Sequence, residues 1–274
     1  MTRNDIIGLY FFMLIFIHYG YSINPIREYK MTPEQFNLEF EEVKIKTSDG
    51  AELNTWVMKT SVEKKSNFTF IIAGSDAGNM GFSLPYAMHL LNNGYDVITF
   101  DYRGFGESSD FSFNPNNLYH DEYIKDFTTV VNWSRKELKS ENIGVLAFSM
   151  GTLISTVGYR NANYEILVGE GFLNCPKKVV KRIEKIKNKK IKIPKSAKSA
   201  CKRMMKIEIP ILLFASKKDE ITTLKDSQRV VEQKQNRELV TFDGEHLRGA
   251  STLGLNSYMA EINKIIEKAA ANKG

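Results

Sequence analysis

The sequence predicts an α/β architecture: a mostly parallel sheet, opened by an antiparallel hairpin, with helices on both faces. Three observations carry this. From Val43 to Ala270, short β-rich apolar runs alternate with amphipathic helical patterns. The central runs are apolar throughout rather than at every second position, as strands covered on both faces are. The first two strand-like runs instead alternate in and out around a turn signal. With 274 residues, 42% hydrophobic and 26% charged, the chain can bury a core of this kind. Its 7 Pro and 18 Gly exclude a collagen-like or low-complexity chain. The 2 cysteines, Cys175 and Cys201, show no CxxC or CxxH spacing, which excludes a structural zinc site.

Taken in order, residues 1–22 read as a targeting segment. Arg3 and the amino terminus give a weakly positive start. The apolar run Ile6 to Ile17 is too short to span a bilayer as a mature helix, and Gly20-Tyr21-Ser22 places small residues at −3 and −1 of a cut after Ser22. The expectation is an exported protein, periplasmic or secreted. An uncleaved membrane anchor is the alternative, because Asp5 weakens the charged end. Residues 23–42 form a polar N-terminal extension, and the domain proper covers 43–274. Its hairpin runs Val43 to Thr47 and Leu53 to Met58 around Ser48-Asp49-Gly50. Further strands are expected at Phe68 to Ala73, Val97 to Phe100, Ile143 to Phe148, Ile166 to Val168, Ile209 to Ala215 and Glu238 to Phe242. Helical patterns occupy Leu84 to Asn92, Asp121 to Leu138, Leu153 to Tyr159, Leu224 to Gln233 and Tyr258 to Ala270. The stretch from Gly171 to Glu208 breaks the alternation and reads as an insert.

The strand Ile143 to Phe148 runs straight into Ser149-Met150-Gly151, and a helix follows. This is the small-x-Ser-x-Gly turn of a nucleophile elbow, with Ala147 in the first glycine position. Small neighbours are needed there because strand and helix approach closely around a strained serine. After the strand ending at Ala73, Gly74-Ser75-Asp76-Ala77-Gly78 stands where acyl-transfer chemistry needs a backbone donor. The N–H groups of Ser75 and Met150 are the expected oxyanion donors. The alternative for that loop is a plain glycine-rich turn. Among the 4 histidines, His18 lies in the targeting segment, His89 on a helix and His120 ahead of one. Only His246 follows a strand at the sheet's carboxyl end, where ligands gather in open α/β sheets.

With Asp101-Tyr102-Arg103-Gly104-Phe105-Gly106-Glu107-Ser108 added, the chain resembles the α/β-hydrolase superfamily. Within it, the similarity is to the Bem46-like and serine-aminopeptidase-like serine hydrolases, over about Val43 to Ile266. The family's His-Gly after the third strand is here Ala73-Gly74, which keeps the backbone donor and removes a supporting side chain. The resemblance implies the chain order Ser, Asp, His. It places the acid at Asp219, in the turn after the strand ending at Ala215, and the base at His246, in Gly244-Glu245-His246. Glu220 and Glu170 stand as substitute acids, with Glu170 better suited to a salt bridge or cap. Asp121, Glu122 and Asp126 read as structural acids at a helix start, and Arg103 and Glu107 as braces of their own loop.

The implied function is a serine hydrolase cleaving an ester or thioester with an apolar acyl group, through an acyl-enzyme on Ser149. This chemistry requires no metal or organic cofactor. The alternatives are a serine peptidase or acyltransferase on the same three residues, or a catalytically silent binding protein.

The insert, a lid or cap position in this family, carries the charge anomaly. Between Lys177 and Lys206 stand 14 Lys/Arg against one acid, Glu184, a local net of +13; with +6 overall, the rest of the chain carries −7. Val179, Val180, Ile183 and Ile186 recur at helical spacing among lysines, a basic amphipathic helix. A solvated lid, docking on an anionic membrane surface, and recognition of an acidic substrate are the three readings. Nucleic acid is not expected as a partner, since no aromatic residue follows Phe172 within the insert. Whether Cys175 and Cys201 form a disulfide or stay reduced is open at this level.

Overall fold

The computed structural model describes residues 23–271, so the expected targeting segment at 1–22 lies outside the described residues. In chain order the strands are β1 (Asn24–Pro25), β2 (Glu41–Lys46), β3 (Glu52–Met58), β4 (Phe68–Ala73) and β5 (Ala77–Gly78). Then come β6 (Asp96–Phe100), β7 (Asn142–Phe148), β8 (Ile166–Glu170), β9 (Ile211–Ser216) and β10 (Arg237–Phe242). The helices are α1 (Leu84–Asn92), α2 (Asp121–Glu137), α3 (Met150–Ala162) and α4 (Pro176–Lys187). They continue with α5 (Ala200–Met205), α6 (Leu224–Val231), α7 (Gly249–Leu253) and α8 (Leu255–Ala271).

Eight strands form one sheet in the order β10-β9-β8-β7-β4-β6-β3-β2. From β10 to β6 every pairing is parallel, and β3 runs antiparallel to both β6 and β2. The hairpin register runs from Glu41 opposite Val57 to Lys46 opposite Glu52. Because successive side chains on a strand point to opposite faces, the continuous apolar runs feed two cores. Ile71 of β4, Val145 of β7 and Leu213 of β9 join Tyr123, Phe127 and Ile154 from α2 and α3 on one face. Phe70, Leu146 and Phe214 from the same strands join Leu90 of α1 and Tyr258 and Ile262 of α8 on the other.

Two features carried no sequence signal. The two residues of β1 pair in parallel with β5, so the N-terminal extension is stitched to the loop after β4. The extension continues past it: Tyr29 donates from its hydroxyl to Asp101, and Arg27 Nη1 donates to Ser108 O at 2.8 Å.

The insert folds as α4, a short 3-10 turn at Ser196–Ser199, and α5. The apolar face of α4 is turned inward, with Val179, Val180 and Ile183 buried in the core. Cys175 and Cys201 are joined by a disulfide, Cα atoms 5.3 Å apart, which closes the insert on itself.

Candidate active site

The crossover from β7 to α3 places Ser149. The strand ends at Phe148 and the helix begins at Met150, leaving Ser149 alone at φ 46° and ψ −111°. Positive φ is strained for a residue with a side chain and persists only where the surroundings enforce it. They do so here: Ser149 N–H donates to Glu170 O at 2.9 Å, and Thr152 donates to Ser149 O from its amide at 2.9 Å and its hydroxyl at 2.7 Å. Gly151 shows why a glycine follows. A Cβ on it would stand 2.2 Å from Ala73 O, so any side chain would push α3 off β4.

His246 and Asp219 come from the loops after β10 and β9, whose parallel pairing brings the two loops side by side. His246 Nδ1 lies 2.6 Å from Asp219 Oδ2, and Nε2 lies 3.3 Å from Ser149 Oγ. Assigned from these partners, the tautomer has Nδ1–H donating to the carboxylate and Nε2 accepting from the serine hydroxyl. Asp219 is held in turn by the amides of Ile221 and Thr222, both 2.8 Å from Oδ1, and by the Thr222 hydroxyl on Oδ2. Burial pushes this carboxyl up, but the bond and charge of His246 and the Thr222 donors outweigh it and hold it well below the usual carboxylate range. For His246, burial favours the neutral ring, and Asp219 more than reverses this, leaving the imidazole above its ordinary 6.5.

Gly151 packs against the Ala73 and Gly74 carbonyls, which sets the loop holding Ser75 against the first turn of α3. Among the described residues, neither the Ser75 nor the Met150 N–H donates to another acceptor. Beside them opens a cavity of about 60 Å³ lined by Ser75, Met80, Tyr86, Phe105, Phe148 and Leu247, among others.

The remaining candidates fall outside this constellation. Glu220 is exposed. Glu170 is fully buried, and its Oε1 accepts the Gly249 N–H at 2.6 Å, capping α7 just after His246. His120 Nε2 accepts from the Asn114 amide at 3.0 Å, far along the chain from the site, and His89 sits half-buried on α1. Arg103 does more than brace its loop: it forks onto Asp126 of α2 and onto Asp49 of the hairpin turn. Asp126 is therefore an ion-pair partner rather than an acid at a helix start. Glu107 reaches Lys44 across 3.6 Å.

Two residues that complete the site were not singled out from sequence. Thr222 is the second partner of Asp219, legible only as a hydroxyl three residues on. Asp76 stands beside Ser75, and burial raises its carboxyl, opposed by Lys187 and by His246.

The model of the alpha/beta hydrolase fold matches residues 77–167. The solved structure of the Pyrococcus furiosus esterase Pf2001 superposes with a TM-score of 0.73 at 23% identity, covering 92% of this chain and 99% of that one. The chain has the α/β-hydrolase fold. Protein bem46 of Schizosaccharomyces pombe is 34% identical over 84 residues, which is 30% of this hydrolase-fold chain and 28% of the S. pombe protein. The YfhR protein of Salmonella typhimurium is 23% identical over 257 residues, covering 86% of this chain and 84% of that one.

Proposed function

We propose that the protein is a serine hydrolase that cleaves a carboxylic ester or thioester through an acyl-enzyme on Ser149. One observation carries the reading: a continuous hydrogen-bonded line from Asp219 through His246 to a serine held at positive φ. The esterase Pf2001 among similar structures supports hydrolase chemistry on this fold.

As Ser149 Oγ attacks the carbonyl carbon, His246 Nε2 takes the hydroxyl proton and Asp219 stabilises the imidazolium through Nδ1–H. The carbonyl oxygen becomes an oxyanion between the Ser75 and Met150 amides. As the tetrahedral intermediate collapses, the imidazolium returns the proton to the leaving alcohol or thiol. Water then attacks the acyl-enzyme with His246 again as base, and Ser149 recovers its proton. The cavity lined by Met80, Tyr86, Phe105 and Phe148 offers the acyl group an apolar seat. Export, expected from residues 1–22, draws support from the Cys175–Cys201 disulfide, since such bonds persist in oxidising compartments.

The test is labelling with a fluorophosphonate probe beside turnover of p-nitrophenyl esters. Wild type should label and turn over. Ser149→Ala should keep its far-UV circular dichroism and lose both. Labelling that survives the substitution would remove Ser149 from the mechanism.

A further inference from the structure

The mechanism leaves the basic insert without a role. Ten lysines between Lys177 and Lys206 are exposed, Lys177, Lys178, Lys181 and Lys185 among them on α4. None of these ten forms an ion pair among the described residues. The two arginines behave differently. Arg182 donates inward to Ile221 O at 2.6 Å and to Asp226, and Arg203 donates to Val157 O at 3.0 Å. Arginine clips the insert to the body and lysine faces solvent. The disulfide and the buried Val179, Val180 and Ile183 fix the insert to the body, so these charges stand on the surface of one folded unit.

That surface adjoins the mouth of the site. The insert leaves the sheet at Gly171, where a Cβ would stand 2.7 Å from the His246 ring. Helix α4 starts five residues later and ends at Lys187, whose charge acts on Asp76 beside Ser75. Ile186 and Met205, about half exposed, are the large apolar side chains left most open among the described residues, and both lie in this insert.

We propose that the insert docks the protein on anionic phospholipid bilayers, with the mouth of the Ser149 site turned toward the lipid. Charge complementarity selects a polyanion. Ten exposed lysines spread from Lys177 to Lys206 suit a field of headgroups better than one small anion. The two exposed apolar side chains select lipid among polyanions, because a bilayer accepts them and a polysaccharide or nucleic acid does not. Val179, Val180 and Ile183 of α4 are buried in the protein and only Ile186 of its apolar positions is left open, so the docking is electrostatic with two apolar contacts. No helix of the described residues is long and apolar enough to cross a membrane. The docking is independent of the reaction at Ser149.

Co-sedimentation of the full chain with vesicles tests it, using phosphatidylcholine alone and phosphatidylcholine with phosphatidylserine. Binding should require phosphatidylserine and fall steeply with salt, as the screening length shrinks from about 8 Å at physiological salt to about 3 Å at 1 M. Each lysine near such a surface contributes about fivefold in affinity. K177Q/K178Q/K181Q/K185Q should therefore weaken binding by about a hundredfold or more at unchanged melting temperature. I186S/M205S should weaken vesicle binding severalfold and leave heparin binding unaltered. Equal binding to neutral vesicles, no binding to anionic ones, or a quadruple variant that binds like wild type would overturn the proposal. A preference for heparin or an oligonucleotide over vesicles would overturn it too. A dead Ser149 would leave all of these readouts in place.

Discussion

His246 is pulled two ways, and the outcome sets the pH at which the site can work. Burial favours the neutral ring and Asp219 favours the charged one, and Asp219 prevails, so the ring titrates above 6.5. General-base chemistry needs the neutral form. Turnover should therefore rise with pH along a limb centred above 6.5, read as kcat/KM against pH on a soluble ester. In Asp219→Asn the largest raising partner is gone, while burial and the weaker pull of Asp76 and Glu170 remain, so the limb should move to lower pH. The rate itself should fall by about 10³ to 10⁴, because the tautomer is no longer held. A limb that stayed in place would mean that Asp76 and Glu170, rather than Asp219, hold the ring up. Among single residues, Ser149 and His246 were legible because each ends a strand in a recognisable turn. Asp219 was legible only through the family pattern. Thr222 was not, because its role is a contact made after the turn folds. Glu170 presented a choice between capping and catalysis that only its bond to Gly249 resolves.

At the scale of elements, the strands were easier to read than what lies between them. Strands β4, β7 and β9 are buried on both faces, so nearly every residue in them is apolar and the signal is dense. Strand β1 is two residues of an otherwise polar segment whose only reason to be a strand is its partner β5. Helix α3 begins at Met150, three residues before the expected Leu153, because the elbow turns directly into the helix without a linker. That economy of space makes a prediction. Gly151→Ala puts a methyl 2.2 Å from Ala73 O and 2.7 Å from Gly74 O, both backbone atoms that cannot rotate away. Overpacking of this kind costs about 1 to 3 kcal/mol. It should also shift the Ser75 amide away from Ser149, so fluorophosphonate labelling should slow by more than the lost stability explains. The insert makes another. Its disulfide spans a sequence separation of 26, worth about 3 kcal/mol by loop closure. Cys201→Ser should lower the unfolding free energy by about that amount in denaturant titrations, and added reductant should have no further effect on the variant.

At the scale of the whole molecule, the two cores meet a polar layer at the carboxyl edge of the sheet, and that layer holds acids that water never reaches. Asp101 is buried beside Tyr29 and the Met80 amide, and burial pushes it up to about 7. Glu170, buried beneath the His246 loop, is likewise pushed up to about 7. A carboxyl raised on folding binds its proton more tightly in the native state than in the unfolded chain. Its contribution to stability is complete below its ordinary value near 4 and is lost as pH rises through the folded value near 7. His246, also raised, adds in the same direction above 6.5. Asp219 opposes them: its depressed carboxyl stabilises above 3.8, and that contribution is lost as pH falls further. The unfolding free energy should therefore peak on the acid side of neutrality, at about pH 4 to 5, and decline toward pH 8 by a few kcal/mol. Glu170→Gln isolates one term. The amide oxygen can still accept from Gly249, and the side chain no longer ionises, so the variant should gain stability at pH 8 relative to wild type and match it near pH 4. Denaturant titrations at the two pH values decide the matter. A wild type equally stable at both would mean that Asp101 and Glu170 ionise in place without cost. The hydrogen bonds from Tyr29, Met80 and Gly249 would then have to be strong enough to hold two buried carboxylates.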